Sequence, residues 1–193
     1  MSTNIFLSVG SALTCEQRQF VEAVEDLLRV NDLVPRTVGR TDFTDRQPLK
    51  RVAEVMRECS GTLVLALKRI QISQGTELCE PPFAATLADV SLPTVWNQIE
   101  AAMAYSMEQP LLAIVESGLR NEGVLEDGYD WYIKWVDLSP ESLADPGFLK
   151  TFAAWKRNLV RYAAERSDRA MTDGRERRVF DPGKQQAALT PTG

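Results

Sequence analysis

The most apolar run of the chain is Gly61-Thr62-Leu63-Val64-Leu65-Ala66-Leu67, and it constrains the fold more than any other segment. A continuous apolar run of this length, without polar alternation, is typical of a strand that is covered on both faces of a parallel sheet. The run therefore predicts a central parallel strand in a sheet that carries helices on both sides.

Four further segments have the composition of strands, and amphipathic helical patterns lie between them. Pro35 makes the second strand in the chain short or places it at an edge, because proline donates no ladder hydrogen bond. The last segment alternates aromatic and aliphatic side chains with others, which also favours an edge strand. Strands that alternate with helices predict an α/β fold, namely a three-layer flavodoxin-like parallel sheet with helices on both faces. The four segments are residues 5–9, 33–38, 111–115 and 131–136.

Two signals delimit the predicted helices. Thr14 and Gln17 have the spacing of a capping box at the start of the first helix. The last helix is predicted from an apolar stripe, and this periodicity is lost near Asp168. We therefore expect an α/β domain over residues 1–168 and a polar, flexible tail over residues 169–193. The stripe consists of Phe148, Phe152, Trp155, Leu159 and Tyr162.

Ligands in open parallel sheets bind beyond the carboxyl ends of the strands. This rule selects the four segments that follow predicted strands, and the early turns of the helix that contains Glu100 are expected to approach the same edge. The third segment opens residues 68–93, which contain three prolines and no clear period and are predicted to form a functional lid or loop. The four segments are residues 8–14, 39–46, 68 onward and 116–117.

The composition excludes several kinds of chemistry. The chain has no histidine, which removes nucleophiles activated by histidine and every histidine metal site. Three widely spaced cysteines form neither a disulfide framework nor a zinc pattern. No apolar run is long enough to span a bilayer and no signal peptide is visible, so we expect a cytoplasmic protein without membrane contact. Any catalytic side chain must therefore be a carboxylate, a hydroxyl, lysine, arginine or tyrosine.

The distribution of charge argues against a protein that binds nucleic acid mainly through phosphate contacts. The formal net charge is −5, whereas such proteins carry basic surfaces. Residues 156–184 are nonetheless basic, which leaves contact with RNA or an acidic partner open. A solvated helix end followed by a loose tail is the simpler interpretation.

Trp96 and Glu100 lie four residues apart, so an indole and a carboxylate share one face near the start of a predicted helix. A helical wheel puts Glu100 just past the edge of the apolar arc, at the boundary between core and solvent. The simplest alternative is a solvated glutamate beside a core tryptophan.

Two polar loops at the predicted ligand edge add candidates for binding a phosphate or a ribose. Ser8, Gly10 and Ser11 lie between the first strand and the first helix, where a helix N-terminus favours an anion. Arg40 and Asp42 follow the second strand. The alternatives are an ordinary hydroxyl-rich turn and surface charges, since the full glycine patterns of a Walker or dinucleotide motif are missing.

Three parts of the chain resemble the Toll/interleukin-receptor (TIR) domains and their relatives, the nucleoside 2-deoxyribosyltransferase-like proteins. Residues 4–8 resemble the family's first strand with its terminal serine, and residues 39–48 fall where TIR domains place their second-strand loop. Residues 96–100 resemble the tryptophan-x-x-x-glutamate pattern whose glutamate is catalytic in enzymatic members. The resemblance spans residues 4–138. Asp89 is a possible counterpart of the aspartate that precedes this glutamate in the deoxyribosyltransferase branch.

The resemblance implies cleavage of the N-glycosidic bond of NAD or of a nucleoside, as substrate and without a cofactor, by a bacterial defence or signalling effector that assembles into homo-oligomers. Glu100 would stabilise an oxocarbenium-like transition state or, in a transferase, attack the anomeric carbon. Trp96 would flank the leaving base. The other residues expected to contact the substrate are Ser8, Gly10, Ser11, Arg40, Asp42 and Asn97.

Two other functions fit the same fold. The first is a non-catalytic module that senses a nucleotide or assembles with like domains. The second is a flavodoxin-like oxidoreductase, which is disfavoured because Gly10 is the only glycine in the first loop.

Overall fold

The computed structural model describes residues 2–12, 14–39, 48–78 and 80–179. Within them the chain forms two sheets and alternating helices. The strands are β1 (Thr3–Val9), β2 (Leu33–Arg36), β3 (Thr62–Ala66), β4 (Ile70–Glu77), β5 (Ala85–Leu92), β6 (Leu111–Glu116) and β7 (Tyr132–Val136). The helices are α1 (Cys15–Val30), α2 (Pro48–Arg57), α3 (Val95–Ser106), α4 (Pro140–Ala144) and α5 (Pro146–Val179), with a 3-10 turn at Gly123–Leu125.

Five parallel strands form the main sheet in the order β2-β1-β3-β6-β7. The apolar run at β3 is its central strand and is buried along its whole length, as predicted. The strand with Pro35 and the aromatic strand β7 occupy the two edges, also as predicted. Parallel pairing requires crossover connections, and the helices provide them.

Successive side chains of the strands face opposite sides of the sheet, so each strand contributes to two separate cores. On one side, Leu63 and Leu65 pack with apolar side chains of α1 and α5. On the other side, Val64 and Ala66 pack with α2 and α3. The molecule is therefore the three-layer, flavodoxin-like α/β structure that the sequence pattern predicts.

The capping box of α1 and the apolar stripe of α5 are both confirmed. The Thr14 hydroxyl accepts from the Gln17 backbone N–H at 3.1 Å, and the Gln17 side chain accepts from Thr14, so the capping box is complete. In α5, the aromatic stripe faces the sheet, and Trp155 is fully buried.

Residues 68–93 differ from the prediction of a loop or lid. Strands β4 and β5 form an antiparallel two-stranded hairpin outside the main sheet, with most of its side chains exposed. Because the hairpin is largely exposed, its strands need no sustained apolar alternation, and the sequence shows none over their full length. Pro81 and Pro82 fall in the connection between the strands, where no ladder hydrogen bond is lost.

The last helix also differs from the prediction. The apolar period ends near Asp168, whereas α5 continues to Val179. Alanine, arginine, methionine and glutamate favour helix without an apolar face, so periodicity alone ended the helix too early. The division of the chain at residue 168 stays a prediction. In the described ranges, no helix is both long enough and apolar enough to cross a membrane.

Gly61 marks a close approach between α5 and the start of β3. The Pro110 carbonyl accepts from the Thr62 backbone N–H at 2.9 Å and from the Trp155 indole at 3.0 Å. A Cβ atom at residue 61 would lie 2.9 Å from that carbonyl oxygen and would collide with Leu159. Only glycine fits at this junction.

We expect Gly61→Ala to lower the free energy of unfolding by about 1–3 kcal/mol, because the added methyl group overpacks the junction. Urea denaturation measures the change. Gly75→Ala is the matched control, since its Cβ would meet Ile72 at an ordinary 3.4 Å. Equal stability of the Gly61→Ala variant and the wild type would contradict this description of the packing.

Candidate active site

A cleft of about 320 Å³ lies at the carboxyl ends of β1 and β3. Five stretches of chain form its walls: the end of β1 with the following turn, the residues after β2, helix α2, the base of the β4–β5 hairpin, and the first turns of α3. This is the edge at which α/β sheets bind ligands. The described residues that line it are Val9, Gly10, Ser11, Val38, Val52, Arg69, Thr94, Trp96, Asn97 and Glu100.

Helix α3 begins at this cleft and carries Glu100 into it. The Thr94 hydroxyl caps the helix by accepting from the Trp96 backbone N–H at 3.3 Å. The helix packs against β1 and β3 through Asn97, Glu100, Ala101 and Ala104.

The predicted orientation of α3 is therefore wrong. The wheel placed the buried arc on the more apolar side of the helix, with Glu100 at its boundary. Val95 belongs to the apolar arc of the wheel and was therefore expected to be buried. In the structure it is two-thirds exposed, whereas Glu100 is only 9% exposed. The small side chains Ala101 and Ala104 allow a close approach to the sheet, so size decides the orientation more than hydrophobicity does.

Burial changes the acidity of Glu100. Desolvation disfavours the charged form and raises the pKa of its carboxyl from 4.5 to about 7. A hydrogen bond from the Ser8 side chain acts in the opposite direction and lowers this pKa by stabilising the carboxylate. Glu100 is thus a carboxyl group that exchanges its proton near neutral pH, which is the property that catalytic acids, bases and nucleophiles need.

Asn97 holds Ser8 in place beside Glu100. Its Nδ2 donates to Ser8 Oγ at 2.9 Å and to the Ser8 backbone carbonyl at 3.3 Å. Because the Asn97 amide acts as the donor, Ser8 Oγ is the acceptor in that bond and its own proton is free to point at the carboxylate. Asn97 and Ser8 are both 1% exposed. No group in the described part of the chain donates to Asn97 Oδ1.

The structure brings together most of the residues that the sequence selected. Gly10, Ser11, Trp96, Asn97 and Glu100 line the one cleft. Ser8 is buried and bonded to Asn97 and Glu100 instead of lining it. Arg40 and Asp42 lie outside the described residues. Asp89 does not line the cleft and is exposed on strand β5 of the hairpin.

Sequence reasoning missed several residues of the cleft. Arg69 and Thr94 enter it from the two ends of the hairpin, and Val9, Val38 and Val52 supply apolar walls. The rule that ligands bind beyond strand ends selected the segment from residue 68 onward, but nothing in the sequence singled out Arg69. The base of the hairpin is closed by a hydrogen bond of 2.9 Å from Arg69 N–H to Leu92 O. This closure brings Arg69 to the cleft.

A second and larger concavity, of about 420 Å³, lies at the opposite edge of the sheet. It is bordered by Leu111 and Tyr132, which begin β6 and β7, so it faces the amino ends of the strands. Of the two concavities, the one at the carboxyl edge contains the carboxyl group with the raised pKa, and it is the stronger candidate. Among the described residues, no group of three or more acidic or cysteine side chains is placed to hold a metal ion.

Comparison with known proteins shows a similarity to solved structures but none to sequences or family models. No family model and no curated protein sequence matches the chain. A solved structure of the Clostridium botulinum CMP N-glycosidase BcmB is similar at 12% identity and a TM-score of 0.44. The similarity covers 72% of this chain and 92% of that one. A similarity of this size concerns the fold alone, and the resemblance to TIR domains stays a prediction.

We expect Glu100→Gln to stabilise the protein above neutral pH. The folded-state pKa of Glu100 exceeds its unfolded value, so its contribution to stability is present below about pH 4.5 and is lost as pH rises through about 7. The full difference between the folded and unfolded pKa of Glu100 corresponds to about 3 kcal/mol of unfolding free energy. Glutamine carries no charge at any pH, so the variant does not lose stability by burying a charged group as the pH rises.

Urea denaturation between about pH 5 and pH 8 measures this difference. The unfolding free energies of the wild type and the variant should converge at the acidic end and separate at the alkaline end. Glu22→Gln, at an exposed position on α1, is the control and should show no such separation. Parallel curves for the Glu100 variant would mean that this carboxyl is solvated.

Proposed function

We propose that this protein cleaves the N-glycosidic bond of a nucleotide or nucleoside, by hydrolysis or by transfer of the sugar, with Glu100 as the catalytic carboxylate. The observation that carries the proposal is a buried glutamate with a pKa of about 7 in a cleft at the carboxyl edge of the sheet. The half-exposed indole of Trp96 lies beside it in the same cleft.

Cleavage breaks the bond between the anomeric carbon and the base nitrogen, and the bonding electrons leave with the base. A purine or pyrimidine then takes up a proton, whereas the cationic nicotinamide ring of NAD becomes neutral on leaving and needs none. Positive charge develops on the sugar ring in an oxocarbenium-like transition state. A carboxylate with few competing water molecules stabilises that charge more strongly than a solvated one does. Glu100 either provides this stabilisation while water attacks, or attacks the anomeric carbon itself and is released when water or a second base displaces it.

The neighbouring residues have separate roles in this proposal. Trp96 stacks on the leaving base, because an indole offers a large flat surface to any base. Ser11 and the Gly10 backbone contact oxygen atoms of the sugar. Ser8 and Asn97 act as positioning residues, since they are buried and hold the Glu100 carboxylate in one orientation.

NAD is the substrate that the resemblance to TIR domains favours, with nicotinamide as the leaving group. In that form of the proposal, the protein is a cytoplasmic, self-assembling effector of bacterial defence or signalling, and NAD is consumed without any further cofactor. Nucleosides are the substrates that the deoxyribosyltransferase branch favours. In both reactions Glu100 has to act on the same positively charged sugar ring.

We expect wild-type protein to release free base from at least one member of a panel of NAD, nucleoside monophosphates and nucleosides. Glu100→Gln should lower that rate by about 100-fold or more, because the amide cannot carry the negative charge. Chromatographic separation of base from substrate measures it. Glu22→Gln is the control. Tight nucleotide binding with no turnover by concentrated wild-type protein would instead indicate the non-catalytic sensing module.

We expect kcat/KM to rise with pH and level off above a midpoint near pH 7, because the ionised form of Glu100 is the active one. Ser8→Ala removes the hydrogen bond that lowers the pKa of Glu100, so the midpoint should move to higher pH. Rate measurements from about pH 5 to pH 9 test both statements. A rate that falls across neutral pH would show that Glu100 acts as an acid.

A further inference from the structure

Arg69 has a fixed place at the rim of the cleft. Its backbone N–H donates to the Leu92 carbonyl at 2.9 Å, which closes the base of the hairpin. The preceding residue is also anchored, because Lys68 N–H donates to the Glu116 carboxylate at 2.8 Å. These two bonds hold the backbone of Arg69 between the main sheet and the hairpin, so its side chain extends from a tethered position.

The guanidinium of Arg69 differs from its neighbours in having no partner in the described ranges of the chain. Within the described residues it makes no hydrogen bond or ion pair, whereas the nearby arginine Arg120 pairs with Glu77 at 2.6 Å and with Glu122 at 2.9 Å. Its neighbour Lys68 lies 3.7 Å from Glu116. Among the described side chains that line the cleft, Arg69 is the only cation and Glu100 the only carboxylate.

The two charges suit opposite parts of one substrate. A cation beside the anomeric carbon would oppose the positive charge that develops there, so a guanidinium is useful only to a group that lies away from that carbon. An arginine fork matches a phosphate, to which it donates two parallel hydrogen bonds. Thr94, the N-cap of α3, lines the same wall, and a helix N-terminus also favours negative charge.

We infer that Arg69 binds the 5′-phosphate of the substrate, so that the site selects phosphorylated nucleosides over free nucleosides. This inference rests on the proposed function and narrows its substrate class. The sugar lies over Glu100, the base against Trp96, and the phosphate at the rim beside Arg69. The phosphate belongs either to a monophosphate or to the pyrophosphate of a dinucleotide.

Matched substrate pairs test the inference. We expect the ratio of kcat/KM for AMP to that for adenosine, for CMP to cytidine, and for NAD to nicotinamide riboside to exceed one where either member is cleaved. Arg69→Gln should lower that ratio about 10- to 100-fold, the usual effect of losing hydrogen bonds to a charged group. The pair with the highest ratio identifies monophosphate or dinucleotide as the source of the phosphate.

Arg120→Gln is the control, because Arg120 is engaged by two glutamates and does not line the cleft. It should leave the ratio unchanged. A wild-type ratio of one or below, or a ratio that Arg69→Gln does not lower, overturns the role of Arg69 and leaves the proposed function intact.

A binding experiment separates the two proposals if nothing is cleaved. Calorimetry of AMP, CMP and NAD against Glu100→Gln and against the double variant with Arg69→Gln does not depend on turnover. Weaker binding of the nucleotides by about 10-fold or more in the double variant supports the phosphate site even where catalysis fails. Equal binding by the two variants, or no binding by either, overturns it.

Discussion

The close packing of α3 against the sheet is the constraint on which the candidate site depends. Ala101 and Ala104 are almost completely buried and have little side-chain volume, so the helix axis can lie near β1 and β3. Glu100 precedes Ala101 in the helix and is removed from water along with it. Its raised pKa therefore follows from desolvation by the fit between helix and sheet.

The cost of burying Glu100 is partly offset by the pair Ser8 and Asn97. Each residue on its own is an ordinary feature, one at the end of a strand and the other in the first turns of a helix. Together they form a directed chain of hydrogen bonds in which the amide fixes the hydroxyl and the hydroxyl faces the carboxylate. A carboxyl group in this environment changes its charge in the pH range in which most enzymes work.

Much of the architecture could be predicted from the sequence. The uninterrupted apolar run of β3 and the single proline of β2 place their strands correctly, because burial and hydrogen bonding act on each strand separately. The hairpin was missed, since its exposed faces leave no apolar period to detect. The face of α3 was mispredicted for a related reason: hydrophobicity identifies side chains that avoid water, whereas this interface selects those small enough to fit.

The sequence by itself determined the alternation of the five strands of the main sheet with helices, selected the sheet edge at which the candidate cleft lies, and excluded histidine chemistry. It also selected Trp96 and Glu100, because their spacing is a property of one helix. Only the tertiary structure decided that Glu100 is buried, that Asn97 and Ser8 support it, and that Arg69 enters the same cleft. These features join residues from β1, the hairpin and α3, and no local pattern encodes distances between segments so far apart in the chain.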